Sequence, residues 1–375
     1  MGTGRENGTA KLESVAAVAG EHAAAVDAEA AFPAATFRAL RENDFLGLVS
    51  ASAVGGGGAS FGPAVDTVER IGRECGSSAM VLCMHYCAVA VIEAHGDDAV
   101  RRKVAKGEQL ATLAFSEAGS RSHFWAPLST AKKEKDAVVL DAQKSWVTSA
   151  SNADLYVWSS QPLDAKGEST LWLVQRQTKG LSHPARFDGL GLRGNDSLPV
   201  TAKGVRIRAA DRLGPDGGGF GVMMGTVLPW FSLLSSACSL GLMESMVQRT
   251  SAHVAGTRFA HLDSSLAQLP TIRAYLARMR IQTDMTRALV LDALAAVGAQ
   301  RADAGLRVLE AKAAAGESAT QVGDLAMRVC GGAAFRRDVA VERPFRDARA
   351  ATVMAPTTDA LYDFIGKALT GQALF

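Results

Sequence analysis

The fold of this chain is decided by one C-terminal stretch, Val341-Glu-Arg-Pro-Phe-Arg-Asp-Ala-Arg349, together with the segment that follows it, Val353-Met-Ala-Pro-Thr-Thr-Asp359. Taken alone, the charged run fits a solvated face or a network of ion pairs. The pattern of Thr358–Leu369 predicts a final helix after it. On the upstream side, Gly331-Gly332 interrupts a long helical pattern, so the stretch closes a helical region.

The sequence pattern predicts helices, then a sheet, then helices. Residues up to about 110 are helical in pattern. The next hundred residues carry short β-prone runs between polar or Gly turns, which predicts an antiparallel sheet or small barrel. These runs are Ala137–Leu140, Leu155–Trp158 and Thr170–Val174. The run Gly217–Gly221 predicts a loop, and Pro270 opens a long helix.

The composition is that of an ordinary soluble protein. The chain has 375 residues, of which 48% are hydrophobic and 21% charged, and its net charge is +2. This charge gives no general attraction to nucleic acid or membranes, and no uninterrupted apolar run of about 18 residues is visible. The N-terminus lacks the pattern of a signal peptide, so a cytoplasmic location is expected.

The five cysteines are predicted to be buried free thiols. Their number is odd and most of them sit inside apolar runs. Cys83 and Cys87 are at helical spacing, but His85 between them would point to another face, so no metal site is expected.

Three blocks carry a family resemblance. They are Ala114-Phe-Ser-Glu-Ala-Gly-Ser120, then Lys144-Ser-Trp-Val-Thr148 followed by Asn152-Ala-Asp154, and finally Arg328-Val-Cys-Gly-Gly332 with the C-terminal stretch. By these blocks the chain resembles the acyl-CoA dehydrogenases, flavoenzymes that oxidise the Cα–Cβ bond of acyl thioesters. The resemblance implies an α+β multidomain fold: an N-terminal helical domain (1–110), a middle antiparallel β domain (111–215) and a C-terminal four-helix bundle (216–375).

The resemblance also implies bound FAD. Trp146 would lie against one face of the flavin, and Thr148 would hydrogen-bond near N5. Gly331 and Gly332 would let the backbone approach the ADP moiety across a subunit interface, which implies a homodimer or homotetramer. The implied cofactor residues are Phe115, Ser116, Ser120, Trp146, Thr148, Arg258, Arg328, Gly331, Gly332, Thr357 and Asp359. The alternative is a purely structural role, with Trp146 and Thr148 as ordinary residues of a β-strand.

The catalytic base of the family is missing. Its usual Glu position is Ala355 here, and the family's alternative position corresponds to Phe231, followed by Ser232. None of these side chains accepts a proton, so the catalytic residues stay unassigned. His123 and His85 are weak candidates, because a neutral imidazole can act as a base. Glu117 also occurs in ordinary family members and is no replacement.

Three hypotheses follow. The first is an FAD-dependent oxidoreductase on an acyl thioester, bound to CoA or a carrier protein, that works by a variant mechanism with an unknown electron acceptor. The second is a flavin monooxygenase of the same fold. The third is a non-catalytic FAD-binding partner subunit. No metal, nucleic acid or membrane partner is expected in any of them.

Overall fold

The computed structural model of the chain describes residues 2–119, 123–184, 186–259, 261 and 264–374. The chain divides into two compact units. Unit 1 comprises Met1–Ala64, Met80–Asp188 and Arg193–Phe231. Unit 2 comprises Val65–Ala79, Gly189–Leu192 and Ser232–Phe375.

Five helices open the chain: α1 (Gly2–Glu29), α2 (Ala34–Glu42), α3 (Phe61–Gly72), α4 (Gly76–His95) and α5 (Asp98–Ala105). Helix α4 is apolar on nearly all sides, as expected of a core helix. Helix α5 begins where the Asp97 carboxylate accepts a hydrogen bond from the Val100 amide at 2.8 Å, which caps its first turn.

The middle of unit 1 holds two four-stranded sheets. The strands are β1 (Ala111–Ala114), β2 (Thr130–Glu134), β3 (Ala137–Val147), β4 (Leu155–Ser160), β5 (Thr170–Gln175), β6 (Leu181–Ser182), β7 (Leu198–Arg208) and β8 (Arg212–Leu213). The strand order is β1-β4-β5-β8 in one sheet and β2-β3-β7-β6 in the other. The short strands β9 (Arg258–Phe259) and β10 (Ser264–Ser265) pair separately in unit 2.

One feature of the sheet prediction is wrong. The sheet was expected to be antiparallel, but β1 and β4 pair in parallel. Between these two strands the chain forms β2 and β3 in the other sheet, and it then re-enters the first sheet running in the original direction. A parallel pair needs a crossover of this kind.

Unit 2 is helical. Its elements follow the short helix α6 (Gly219–Val222) and a π-helical segment, Met223–Val227, of unit 1. The remaining helices are α7 (Leu228–Gly256), α8 (Pro270–Gly298), α9 (Ala304–Cys330), α10 (Glu342–Ala348), α11 (Ala350–Val353) and α12 (Thr358–Leu369). The predicted start of a long helix at Pro270 and the predicted helix Thr358–Leu369 are confirmed. The predicted Gly217–Gly221 loop is only partly right, because α6 begins at Gly219.

Ion pairs tie three helices of unit 2 together. The Arg287 guanidinium lies 2.6 Å from the Glu69 carboxylate on α3 and 2.7 Å from that of Glu244 on α7. Arg280 also meets Glu244, at 2.9 Å. Burial alone would raise the pKa of Glu244, but hydrogen bonds from the two arginines outweigh burial and lower it.

The core of the chain includes two very apolar helical stretches. Gly76–His95 and Gly219–Gly256 are long and apolar enough to cross a membrane by length and composition alone, and 78% of each such window is buried inside the protein. The five cysteines are free and buried, as predicted.

Candidate functional site

A β-bulge in β3 presents Trp146 to solvent. Lys144 pairs with Val200 and Val147 pairs with Leu198, so β3 uses one residue more than β7 over this step. The extra residue breaks the alternation of the strand: Lys144 and Val147 are both buried, whereas Trp146 is 70% exposed and adopts φ +56°. The left-handed conformation is unfavourable for a side chain of this size, and such outliers cluster at ligand sites.

A buried ion pair fixes the bulged strand against the segment that carries Ser116. Lys144 Nζ lies 2.5 Å from Glu117 Oε1, and both side chains are almost fully buried. The same ammonium donates to the carbonyl and hydroxyl of Ser159, at 2.7 and 2.9 Å. Burial lowers the pKa of Lys144 to about 8, against the effect of Glu117, which raises it.

Glu117 is held by more than the ion pair. Its other carboxylate oxygen accepts the Leu128 and Ser129 amides at 2.6 and 3.0 Å, and the Ser129 hydroxyl also donates to the carboxylate. The Ser145 amide donates to the Ser116 carbonyl at 2.9 Å. These contacts therefore hold the Ser116 segment next to the bulge in unit 1.

Thr148 follows the bulge, and its hydroxyl takes part in a hydrogen bond. Its Oγ1 lies 3.1 Å from the Ser197 hydroxyl, and its carbonyl accepts a hydrogen bond from Thr112 at 2.8 Å. A hydroxyl has one proton and two lone pairs, so Thr148 can still donate to a ligand if Ser197 donates to Thr148.

The remaining predicted residues of unit 1 lie close by in sequence. Phe115 is buried next to the partly exposed Ser116. Phe187, which the sequence did not single out, approaches the Trp146 indole edge-on with ring centroids 6.5 Å apart. Ser120 lies outside the described residues.

In unit 2 a second group of predicted residues lies at the end of α9. Gly331 has φ +55°, and an added Cβ at Gly331 or Gly332 would meet no atom within 4 Å, so this backbone is open to an approaching group. The exposed Arg328 guanidinium stacks 5.6 Å from the centre of the Tyr275 ring. Arg258 is exposed on β9.

Arg328 also lines a pocket between α8 and α9. The pocket has a volume of about 280 Å³. Its lining residues are Arg278, Gln282, Gln321, Asp324, Leu325 and Arg328.

A third group lies at the turn before α12. Thr357 caps that helix by accepting a hydrogen bond from the Ala360 amide at 3.3 Å, and Asp359 is exposed in its first turn. The buried Lys312 of α9 supports the turn by donating to the carbonyls of Met354 and Pro356, at 3.1 and 2.6 Å. This role was not predicted, because Lys312 sits in an Ala-rich helix, where a lysine side chain is usually exposed to solvent.

The two groups of unit 2 are far apart in a single copy. Lys312 and Arg328 are separated by sixteen residues of one helix, which is about 24 Å at 1.5 Å per residue. The turn before α12 and the Arg328–Gly332 end of α9 are thus not brought together by the fold of unit 2.

Neither predicted base position carries a proton acceptor. Ala355 lies in the turn supported by Lys312, and Phe231 is nearly buried in unit 1. Ser232 is fully buried in unit 2.

The geometry removes His85 from the candidate bases. Its Nδ1 accepts the Ala111 amide at 3.1 Å, so its Nε2 carries the proton and donates to the Leu46 carbonyl at 3.0 Å. No ring nitrogen is left for a substrate, and burial lowers the pKa of His85 to about 4. His123 is exposed and packs edge-on against Trp125, with ring centroids 5.1 Å apart.

These arrangements fit a flavin. An exposed indole held by a bulge offers an apolar surface on which a planar ring can stack. Burying such a side chain is worth about 2–3 kcal/mol of free energy, which the exposed indole does not gain in the chain by itself. The Thr148 hydroxyl next to it supplies a hydrogen-bonding group, and the open Gly331-Gly332 backbone suits a nucleotide. The donor set therefore matches the cofactor that the sequence blocks imply.

Comparison with known proteins identifies the family of the chain. Three family models match in chain order: the N-terminal domain of acyl-CoA dehydrogenase over residues 12–107, the middle domain over 112–205 and the C-terminal domain over 217–370. The human mitochondrial short-chain specific acyl-CoA dehydrogenase is 28% identical over 346 residues, which is 90% of this chain and 82% of that protein.

Solved structures share the fold over nearly the whole chain. Butyryl-CoA dehydrogenase from Megasphaera elsdenii superposes with a TM-score of 0.89 at 19% identity, covering 97% of this chain and 98% of that one. The prolyl acyl carrier protein oxidase AnaB gives 0.86 at 19% identity, covering 96% and 98%. The predicted fold, an N-terminal helical domain, a middle β domain and a C-terminal helical domain, is confirmed, and the chain belongs to the acyl-CoA dehydrogenase family.

Proposed function

We propose that this chain is an FAD-dependent oxidoreductase that acts on an acyl thioester without the carboxylate base common in its family. The observation that carries the proposal is Trp146, an indole turned out of a buried strand by a bulge. Family membership supports the reaction class. The Thr148 hydroxyl and the Glu117–Lys144 pair beside the bulge support the proposed flavin site.

When bound, the flavin supplies the redox chemistry by accepting two electrons from the substrate. The residues of the chain hold and shield it. Trp146 would cover the flavin and exclude water from it, and Thr148, with Ser197 as its own donor, would donate a hydrogen bond to it. The Glu117–Lys144 pair keeps Ser116 at a fixed place beside the bulge.

Activation of the substrate is the step in which this chain departs from its relatives. The Ala355 methyl group and the Phe231 ring cannot remove a proton, and both nitrogens of His85 are engaged. The α-carbon is therefore activated either by the substrate itself, through loss of carbon dioxide, or by His123. Either route accounts for the change at Ala355.

The carrier of the acyl group is CoA or a carrier protein. Both kinds of substrate occur in the names of proteins that share this fold, butyryl-CoA dehydrogenase and a prolyl acyl carrier protein oxidase. We also propose that the protein works as a homodimer or homotetramer. The separation of Arg328 from the turn before α12 supports this, because one copy does not bring the two groups together.

A flavin-dependent monooxygenase is the second candidate. The observation that favours it is the lack of a proton acceptor at Ala355 and Phe231 together with the engaged nitrogens of His85. Reaction of a reduced flavin with oxygen needs no base for an α-proton.

One experiment separates the candidates. The purified holoprotein is mixed under anaerobic conditions with a panel of CoA and carrier-protein thioesters, and the flavin absorbance is followed. Bleaching by a thioester supports the oxidoreductase. Bleaching only by NAD(P)H or an added reductase, followed by oxygen-dependent product, supports the monooxygenase. A flavin bleached by none of these contradicts both and leaves the non-catalytic partner subunit.

A further inference from the structure

Helix α7 packs tightly against the end of α3 in unit 2. Its Gly241 approaches Gly72, the last residue of α3, so closely that an added Cβ would lie 2.8 Å from the Gly72 backbone. Ser245 and Arg249 follow Gly241 at four-residue intervals, which sets all three on one face of α7. Arg249 Nε donates to the Ser245 hydroxyl at 3.0 Å. Arg249 therefore lies on the face of α7 that packs against α3.

Arg343 of α10 reaches the same part of unit 2. Its Nη2 donates to the carbonyl of Glu74, in the turn that follows α3, at 3.2 Å. Burial lowers the pKa of Arg249, the neighbouring Arg343 lowers it further, and Glu74 acts in the opposite direction. Both arginines keep their proton at neutral pH, because a guanidinium does not titrate there. Two like charges are thus neighbours beside the turn after α3.

The carboxylates of this region are engaged with other groups. Glu74 lies 3.0 Å from Arg70, and Glu342 of α10 lies 2.7 Å from Arg346. The buried Asp347 carboxylate accepts a backbone amide at 2.6 Å. The acidic side chains around the two arginines therefore have partners of their own.

Most donors of the two guanidiniums have no acceptor. Each guanidinium has five N–H groups in a planar fork. Each uses one of them, Arg249 on the Ser245 hydroxyl and Arg343 on the Glu74 carbonyl, and within the described part of the chain neither forms an ion pair. Both side chains are half-buried, so water reaches only part of them. A cation at the C-terminal end of α3 is favourable by itself, which accounts for Arg343 but not for a second cation beside it.

We propose that Arg249 and Arg343 form a binding site for a phosphate-class oxyanion, either free or part of a phosphate ester. The site uses none of the residues assigned to flavin or substrate, so it goes beyond the proposed function.

The charge and shape of the anion follow from the two guanidiniums. A phosphate monoester carries about −1.5 to −2 charges at pH 7 and three strong acceptor oxygens. It can therefore accept hydrogen bonds from both forks and balance both charges. A carboxylate has one charge and two oxygens, which match a single guanidinium.

The first test is calorimetric titration of the full chain with inorganic phosphate, in chloride buffer at fixed ionic strength. We expect one site per chain. Arg249→Gln and Arg343→Gln should each weaken binding at least tenfold, because each removes one charge and one fork. The control is Lys132→Gln, which removes an exposed cation from β2 and should bind phosphate as the wild type does. A wild type that binds no phosphate, or unchanged binding in either arginine variant, overturns the proposal.

The same titration with adenosine 3′,5′-bisphosphate distinguishes the two sources of the anion. Binding at least tenfold tighter than that of inorganic phosphate, and lost in both arginine variants, identifies a nucleotide phosphate ester. Equal affinity for the two probes identifies the free anion. Equal binding of the bisphosphate by the wild type and both variants overturns the site. Neither probe requires flavin or a thioester, so loss of this binding and loss of redox activity are separate results.

Thermal unfolding tests whether Arg249 has a structural role instead. Without phosphate, Arg249→Gln should unfold at the temperature of the wild type or higher, because it loses a like-charge neighbour and no ion pair. Saturating phosphate should raise the midpoint of the wild type and Lys132→Gln more than that of Arg249→Gln, since a ligand stabilises the state that binds it. A lower midpoint for Arg249→Gln without phosphate, with equal phosphate increments in all three proteins, overturns the proposal.

Discussion

Two segments of the candidate site are held by buried lysines, and they differ in what each lysine binds. At the β3 bulge, Lys144 lies against the Glu117 carboxylate and positions a segment whose motif matches the family. At the turn before α12, Lys312 binds the carbonyls of Met354 and Pro356, and Ala355 between them carries no proton acceptor. The first segment therefore depends on a pair of opposite charges, whereas the second depends on hydrogen bonds to backbone carbonyls.

The largest expected effect comes from breaking the ion pair at the bulge. Lys144→Met leaves the Glu117 carboxylate buried without its cation, which should lower the free energy of unfolding by about 3–5 kcal/mol. Urea denaturation measures this loss. The double variant Lys144→Met/Glu117→Gln should recover much of it. A single variant as stable as the wild type would show that the pair is not what fixes the bulge.

The next largest effect is the pH dependence of stability that His85 causes. His85 lies in unit 1, like the β3 bulge, and accepts a hydrogen bond from the first amide of β1. The pKa of His85 is lowered from 6.5 to about 4 by burial, so the unfolded chain binds its proton first as the pH falls. Stability from this group is complete above pH 6.5 and decreases toward pH 4, by about 3 kcal/mol in total.

The control for this prediction is His85→Gln, which keeps a donor and an acceptor but does not titrate. Denaturation midpoints between pH 7 and 4 should fall more steeply for the wild type than for the variant. Parallel pH profiles would contradict the buried neutral imidazole.

The assignment of Ala355 can be tested by placing a carboxylate there. Ala355→Glu places a carboxylate at the position that the resemblance assigns to the family's base, and a positioned base accelerates proton transfer by about a hundredfold or more. We expect acyl-CoA dehydrogenase activity to rise by about that factor over the wild type, measured with an artificial electron acceptor.

Ala355→Gln is the matched control, since it has the same length and no basic oxygen. Pro356 fixes one backbone angle next to the new carboxylate, so the double variant Ala355→Glu/Pro356→Gly covers the case in which the single variant is misaimed. No gain in either Glu variant would contradict the assignment of Ala355 to the base position.

The smallest stability effect is expected at the turn itself. Lys312→Met removes two hydrogen bonds and leaves two carbonyls without this donor, which should cost about 1–3 kcal/mol. Lys312→Arg should lose less, because it keeps a donor. Thermal unfolding of both variants checks this. A Met variant as stable as the Arg variant would mean that Lys312 does not support the turn.

The local elements were largely predictable from the sequence. Strands β3, β4 and β5 begin at the predicted Ala137, Leu155 and Thr170, and α12 has the predicted bounds. Alternation and helical spacing are local patterns, so a short window contains them. The parallel pairing of β1 with β4 was missed, because it depends on the path of about forty residues between the strands.

The sequence named candidate site residues but did not contain their geometry. The motifs pointed to Trp146 and Thr148, yet the bulge that exposes Trp146 is set by its register with β7, which the sequence of β3 does not contain. The role of Lys312 depends on the packing of α9 against the turn before α12. His85 was a weak candidate until its two partners, from distant parts of unit 1, were known.

Binding of a flavin at the Trp146 bulge can be measured on the purified protein. The purified wild-type chain and Trp146→Ala are each reconstituted with FAD, and the bound flavin is quantified by absorbance and mass spectrometry. We expect near-stoichiometric FAD in the wild type and at least tenfold weaker binding in the variant. Because the indole is 70% exposed, the stability of the apoprotein should change by less than about 0.5 kcal/mol. A wild-type chain that binds no flavin, or a variant that binds it equally well, would contradict the account.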